Sequence, residues 1–303
     1  MMLSFLPGPI KGSLIIFLII VNTLFWMPIL VIGAVIKIIF PLPFLQKSIT
    51  LILIACAKNW TSLNNVFFWL FLEIEWKVSG LEGLSNDEWY LVNCNHQSWS
   101  DIPIVQRILN RKVPMPKFFL KKELVWVPII GLCWWALDFP FMKRSTPEEI
   151  KKNPSLAGKD LETTRIACEK FKTTPVSVFN FLEGTRFSKS KHDKQNSPFQ
   201  NLLKPKAGGA AFVLGSMGQQ MRTMLDITIV YTDPKSEIWD LVCGRVHKVI
   251  VNIDKVDIPS EFNGKDYTND PEFKARFQSW LNTLWCEKDE LINQIKADNN
   301  IQH

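Results

Sequence analysis

The chain has little of what most soluble catalysts and metalloproteins display. Its six cysteines, Cys56, Cys94, Cys133, Cys168, Cys243 and Cys286, are scattered and no two share CxxC spacing. Most lie in apolar stretches, which reads as reduced packing residues of a protein facing the cytosol. There are four histidines and no His–Cys cluster, so no structural zinc site is expected. No serine or cysteine sits in a GxSxG-type elbow, so nothing marks a covalent nucleophile. Tyrosine is scarce at 3 against 12 tryptophans. Tryptophan concentrates where one end of the ring is dry and the other wet, as at membrane interfaces. The net charge of +6 is too modest to mark a nucleic-acid binder, although it suits anionic substrates or headgroups. There are no internal repeats, and no low-complexity segment before the tail that follows Ala297.

What is present begins with an uncharged run, SLIIFLIIVNTLFWMPILVIGAVI, from Ser13 to Ile36. A bilayer takes about 20 apolar residues to cross, so this run is long enough. It is too long for a signal peptide and no small-residue cleavage site follows it. Asn22 and Pro28 interrupt it, which admits a kinked or re-entrant helix. A second apolar stretch, about Leu45 to Leu72, is broken by Lys58, Asn59, Asn64 and Asn65 and reads as amphipathic. The two together predict a membrane anchor over residues 1–72, either spanning or lying in one leaflet. Lysines flank both segments, so loop charge does not fix topology.

From Glu73 onward the texture is that of a globular α/β domain, residues 73–303, ending in a helical extension. Strands are expected at Ile74–Val78, Trp89–Cys94, Phe139–Lys143, Val176–Leu182, Asp226–Tyr231 and Val246–Ile253. Helices are expected at Asp101–Leu109, Lys122–Ala136, Gly158–Phe171, Ala207–Gly215 and Pro271–Lys296. The polar stretch Phe187–Pro198 reads as a loop. Alternation of the two types favours a mostly parallel central sheet flanked by helices.

The chemistry concentrates in YLVNCNHQSWSDIPIV, Tyr90 to Val105. A strand-like run stops at Asn95, His96 follows, and Asp101 comes five positions later. On a regular helix residues five apart do not share a face. At a strand-to-helix junction the aspartate can fold back, fix the imidazole tautomer and make His96 a general base for a hydroxyl. A bare HxxxxD spacing is common, and Ser98 or Ser100 would serve as ordinary helix caps there. Further features add weight. Phe141–Arg144 ends a strand with Lys143 and Arg144. FLEGTR, Phe181 to Arg186, ends another with Glu183, Gly184, Thr185 and Arg186. KPKAGG, from Lys204 through Lys206 to Gly209, precedes an apolar helix. In open α/β sheets, sites gather at the carboxyl ends of strands, where arginines suit a phosphate.

These blocks, NHQSWSD, FLKKELVWVPIIG, FMKR, FLEGTR and Lys206 with Gly208, occur in the order found in the glycerolipid acyltransferases. The chain resembles the bacterial 1-acyl-glycerol-3-phosphate (lysophosphatidate) acyltransferases over about Glu73 to Ile253. CWWALDFPFMKRS, GKDLETTRIACEKF and the long C-terminal helix resemble the YihG-type branch. Two stretches depart from the pattern: LDITIVYTD lacks the proline usual in the fourth block, and Ser145–Ser155 is a long insert.

The resemblance implies acyl transfer from acyl-CoA or acyl carrier protein to the sn-2 hydroxyl of lysophosphatidic acid. It implies His96 as base, Asp101 orienting it, and Lys121, or its neighbour Lys122, at the oxyanion. Arg144, Arg186 and Lys206 would meet the acceptor's phosphate, with Thr185 and Gly184 in the same loop and Glu183 bracing the pocket. No cofactor or metal is implied, and the partners are the two substrates and the bilayer. The implied place is a bacterial inner membrane with the catalytic domain facing the cytoplasm. Leu124–Leu137 reads either as core or as an acyl-chain lining. The motifs report the reaction and the phosphate rather than the headgroup, so lysocardiolipin or lysophosphatidylglycerol stay open as acceptors. So does a non-catalytic lipid-binding role.

Overall fold

The computed structural model describes residues 3–142, 159–265, 267 and 270–301. Lys143, Arg144, the Ser145–Ser155 insert and Gly158 lie outside the described residues.

Two long helices open the chain, α1 (Gly8–Ile39) and α2 (Pro43–Phe71). Each starts with a proline in its first turn, where the missing N–H costs nothing. Neither is broken where the sequence suggests. α1 runs through Pro28 as one continuous helix, and α2 continues across Lys58, Asn59, Asn64 and Asn65. The asparagines expected to interrupt them instead tie them together. The Asn22 amide donates to Trp60 O at 3.0 Å and to Asn64 Oδ1 at 2.8 Å. Gly33 lets the pair close: a Cβ there would stand 2.6 Å from Leu53 Cδ2. α1 is long and apolar enough to cross a membrane, and most of its apolar side chains face outward.

The remainder is a six-stranded sheet between helical layers. Its strands are β1 (Glu75–Ser79), β2 (Tyr90–Cys94), β3 (Pro116–Phe118), β6 (Ser177–Phe181), β7 (Thr223–Tyr231) and β8 (Lys248–Asp257). The order is β1-β8-β7-β2-β6-β3, with only the β7–β8 pairing antiparallel. The mostly parallel sheet expected from the alternation is therefore present. All five residues of the central β2 are buried, as a strand covered on both faces requires.

One face packs on α5 (Lys159–Phe171), α7 (Ala207–Met217) and α9 (Pro271–Asp298). The other packs on α3 (Asp101–Leu109), on Phe68 and Phe71 at the end of α2, and on Ile15 of α1. A smaller apolar cluster joins α1 and α2 to Cys133, Ala136 and Leu137 of the segment Leu124–Leu137.

Three local expectations are corrected. Lys122–Ala136 is not one helix: a short 3-10 turn (Lys122–Trp126) and α4 (Ile130–Ala136) are split at Pro128, with Ile129 at φ 68. Pro128 has no N–H to continue the ladder and bars its predecessor from the α region. Of the expected strand Phe139–Lys143, the described residues contribute only β5 (Phe141–Met142), which pairs with β4 (Leu120–Lys121) outside the main sheet. The stretch Phe187–Pro198 carries α6 (Lys189–Gln195), started by Ser188, whose side chain accepts from the Lys191 amide.

Candidate active site

Three parallel strands end side by side, and each delivers one part of the site. After β2 the chain turns through Asn95, His96 and Gln97 into α3. Asn95 fastens this turn to β7: its amide donates to Ile229 O at 2.9 Å and its oxygen accepts from Ile229 N at 2.8 Å. Asp101 opens α3 and folds back into the turn. Its Oδ2 accepts from the amides of Gln97 (2.7 Å) and Ser98 (3.0 Å) and stands 2.8 Å from His96 Nδ1. The spacing of five is thus a loop wrapped around one carboxylate. Ser100 occupies the helix cap position without capping with its side chain. Instead the hydroxyls of Ser98 and Ser100 both donate to the Ser236 carbonyl, at 2.5 and 2.6 Å.

Asp101 is fully buried, whereas the His96 side chain is 12% exposed. A buried carboxylate demands partners. Besides two amides and the imidazole, Asp101 Oδ1 accepts from the hydroxyl of Tyr231, the last residue of β7, at 2.6 Å. Burial first, and then the Asp101 charge, push the Tyr231 phenol far up, so it stays a donor. With Asp101 ionised, the proton lies on Nδ1 and the lone pair on Nε2. Among the described residues Nε2 has no hydrogen-bond partner. The imidazole ring lies flat on Phe181, with centroids 3.8 Å apart at 14°. That apolar wall fixes the ring's tilt.

Glu183, just beyond β6, reaches under the turn. Its Oε1 accepts from the His96 amide at 2.7 Å and its Oε2 from the Leu203 amide at 3.0 Å. Burial pushes this carboxyl up to about 7, against the pull of those two amides and of the Lys288 charge. Both oxygens are spent on backbone, which makes Glu183 a brace and not a second base. Gly184 follows at φ +68, a region only glycine enters freely. A Cβ there would stand 3.0 Å from Lys206 Nζ, so the lysine lies directly over the glycine. The Lys206 amide is itself bonded to Leu182 O at 2.7 Å.

The other expected residues scatter around this centre. Thr185 accepts from Lys191 Nζ at 2.9 Å. Arg186 faces Glu237 at 3.2 Å and lies 5.0 Å over the Trp99 ring, half exposed at the rim. Lys121 is exposed on β4, and among the described residues no hydrogen bond joins it to His96 or Glu183. Arg144 lies outside the described residues. Cys94, next to the motif, is held as a thiol by burial and then by the Asp101 charge, so it is no ready nucleophile.

Sequence reasoning misses Tyr231, Phe181 as the imidazole's wall, and the Ser236 carbonyl. Tyr231 had a faint signal, as one of three tyrosines and the end of an expected strand.

The family profile named Acyltransferase matches residues 75–231. The 2-acyl-1-lysophosphatidylinositol acyltransferase of Saccharomyces cerevisiae is 27% identical over 241 residues, covering 66% of this chain and 60% of that protein. The human 1-acyl-sn-glycerol-3-phosphate acyltransferase delta is 24% identical, covering 57% of this chain and 43% of its own length. The chain thus spans about half the length of the curated relatives it matches. Among solved structures, the crystal structure of the 1-acyl-sn-glycerophosphate (LPA) acyltransferase PlsC from Thermotoga maritima aligns with a TM-score of 0.48 and 17% identity. That alignment covers 91% of this chain and 98% of that one. The profile takes in β2, the His96–Asp101 turn, the Glu183 loop and Tyr231 in one continuous stretch of just over half the chain, and on that match this protein belongs to the acyltransferase family.

Proposed function

We propose that this protein moves a fatty acyl group from acyl-CoA or acyl carrier protein to the sn-2 hydroxyl of lysophosphatidic acid, giving phosphatidic acid. The observation that carries the reading is the His96 Nδ1–Asp101 bond at 2.8 Å, which leaves Nε2 as the acceptor nitrogen. Nε2 takes the hydroxyl proton as the oxygen attacks the thioester carbonyl. The tetrahedral intermediate collapses, the C–S bond breaks, and the thiolate recovers the proton from the imidazolium. Asp101 stabilises the cation in between. No acyl-enzyme forms, in keeping with the missing elbow and the buried Cys94. Lys121, or Lys122 beside it, faces the oxyanion. Arg144, Arg186 and Lys206 hold the phosphate, and Thr185 and Gly184 shape the loop that admits it. An arginine fork matches a phosphate in two places.

α1 extends about 48 Å at 1.5 Å per residue, against a hydrocarbon core of about 30 Å. With α2 it forms the anchor of residues 1–72, which brings residues 73–303 to their lipid substrates. The stretches Cys133–Ser145 and Gly158–Phe171 resemble the YihG-type enzymes, which supports reading the chain as one of that branch. On that reading the catalytic domain faces the cytoplasm at a bacterial inner membrane.

A second acceptor is suggested by the yeast relative, which is named for a lysophosphatidylinositol. Purified protein in mixed micelles, given labelled acyl-CoA or acyl carrier protein, should acylate lysophosphatidic acid fastest. The panel includes lysophosphatidylinositol, lysophosphatidylglycerol and lysocardiolipin. Preference for one of these replaces the acceptor. Transfer to none, from either donor, rejects the reading.

A further inference from the structure

The matched family region ends at Tyr231, yet the helix farthest from it in sequence reaches back to the catalytic turn. α9 presents Phe277, Leu281, Trp285, Lys288, Asp289 and Ile292 on one buried stripe, at the spacing of successive helical turns. Three of these are polar at their tips, and each tip is committed. Trp285 Nε1 donates to Leu203 O at 3.0 Å. Asp289 accepts from the amides of Gln200 and Asn201 at 2.6 and 2.8 Å. Lys288, 2% exposed, places its ammonium 2.7 Å from Ile227 O, 3.2 Å from Thr228 Oγ1 and 3.1 Å from Asp226 Oδ1. Ile227 O and Thr228 Oγ1 accept from this ammonium, and Asp226 stands beside it as the counter-ion.

These contacts lead to His96 by two short routes. Trp285 holds the Leu203 carbonyl, the Leu203 amide holds Glu183, and Glu183 holds the His96 amide. Lys288 holds Ile227, which is the register partner of Cys94, two residues before His96. A buried charge with one carboxylate partner also acts at longer range, because little solvent screens it. The charges acting on Glu183 are Lys288 from α9 and Asp101 from α3.

We infer that α9 is part of the active site and that Lys288, with Trp285, is a positioning residue. Together they hold the Glu183 brace, and through it the His96 turn, in reactive geometry. The inference rests on His96 being the base. The brace needs an ionised Glu183, because a protonated oxygen turns O–H toward a backbone N–H and loses one of the two bonds. The Lys288 cation opposes that protonation, which burial favours.

The test replaces both buried charges, Lys288→Met with Asp226→Asn, so that no unpaired ion is left inside. Thermal unfolding confirms the fold. The His96 backbone amide shift is then followed against pH by NMR in detergent micelles. This amide donates directly to Glu183, so it reports the brace whatever the protein acylates. In wild type it should titrate near 7. In the double variant the midpoint should rise, because the cation that favours the ionised carboxyl is gone. The acid limb of kcat should move with it, costing several-fold at pH 7 with KM kept. Against a Glu183→Gln background the same pair of changes should no longer move the limb. Trp285→Phe, which keeps a buried aromatic ring and deletes the indole donor, should lower kcat and not KM. An unmoved amide midpoint in the folded double variant overturns the inference. A moved midpoint in a protein that transfers no acyl group upholds the coupling and rejects the acyltransferase reading instead.

Discussion

At the residue scale, the site is a set of backbone and side-chain donors arranged around two buried carboxylates. Asp101 is over-provided: two amides, an imidazole and a phenol converge on it. Hydrogen bonds to charged groups contribute roughly 1.5–3 kcal/mol, so Tyr231→Phe should lower kcat by about tenfold or more with KM little changed. Asp101→Asn turns an acceptor into a mixed group and favours the wrong imidazole tautomer. A loss on the order of 10⁴ in kcat is expected in steady-state assays, by analogy with the serine-protease triad.

Glu183 gives a signed pH dependence of stability. Its carboxyl goes from the ordinary 4.5 to about 7 on folding, so the folded state holds the proton longer than the unfolded chain. The stability it contributes is complete below about 4.5 and lost as pH rises through about 7. At 1.36 kcal/mol per unit this amounts to ~3 kcal/mol. Melting wild type and Glu183→Gln at pH 5 and pH 8 should show the glutamine variant gaining on wild type at pH 8. A constant difference contradicts the assignment.

The His96–Asp101 pair and the FLEGTR acid were legible because both sit at the ends of recognisable strands. Tyr231 was not, because its contact with Asp101 crosses 130 residues of sequence. Only the strand order puts it there.

At the element scale, the sheet was readable from runs of β-branched and aromatic residues, and the strands that matter to the site fall where expected. The failures have local causes. Pro128 splits what periodicity joins into one helix. The helix Lys189–Gln195 has no apolar stripe to announce it, and only Ser188 marks its start. β3 is three residues long and carries no pattern of its own. The antiparallel entry of β8 depends on a chain reversal that the alternation of elements does not encode.

Helix α9 starts with Asp270, whose side chain accepts from the Phe273 amide at 2.8 Å. Asp270→Ala should cost about 1 kcal/mol and lower Tm by a few degrees. Because the cap lies far along the helix from Trp285 and Lys288, kcat should hold. A comparable fall in kcat would mean that any loosening of α9 slows the reaction.

At the scale of the whole molecule, the two N-terminal helices and the α/β region share apolar core. Ile15 of α1 and Phe68 and Phe71 of α2 are buried in the cluster that backs β2 and α3. Lys11 points inward as well, with its ammonium on Ser4 O at 3.2 Å. Deleting residues 1–72 therefore uncovers the face of the sheet that supports the His96 turn. Burying a large aliphatic or aromatic side chain is worth about 1.5–3 kcal/mol. Residues 73–303 alone should accordingly aggregate or melt well below the full chain in gel filtration and thermal scans. A well-folded, equally stable fragment would show that the two N-terminal helices add nothing to the stability of the rest.

The most direct measurement is acyl transfer to lysophosphatidic acid by wild type and His96→Ala, purified in parallel and matched for folding by thermal melt. Wild type should form phosphatidic acid without a burst of acylated protein. The alanine variant should lose at least 10² in kcat, the lower range for a removed general base. Full activity in His96→Ala, or a covalent acyl-enzyme trapped with wild type, would contradict direct transfer by the His96–Asp101 pair.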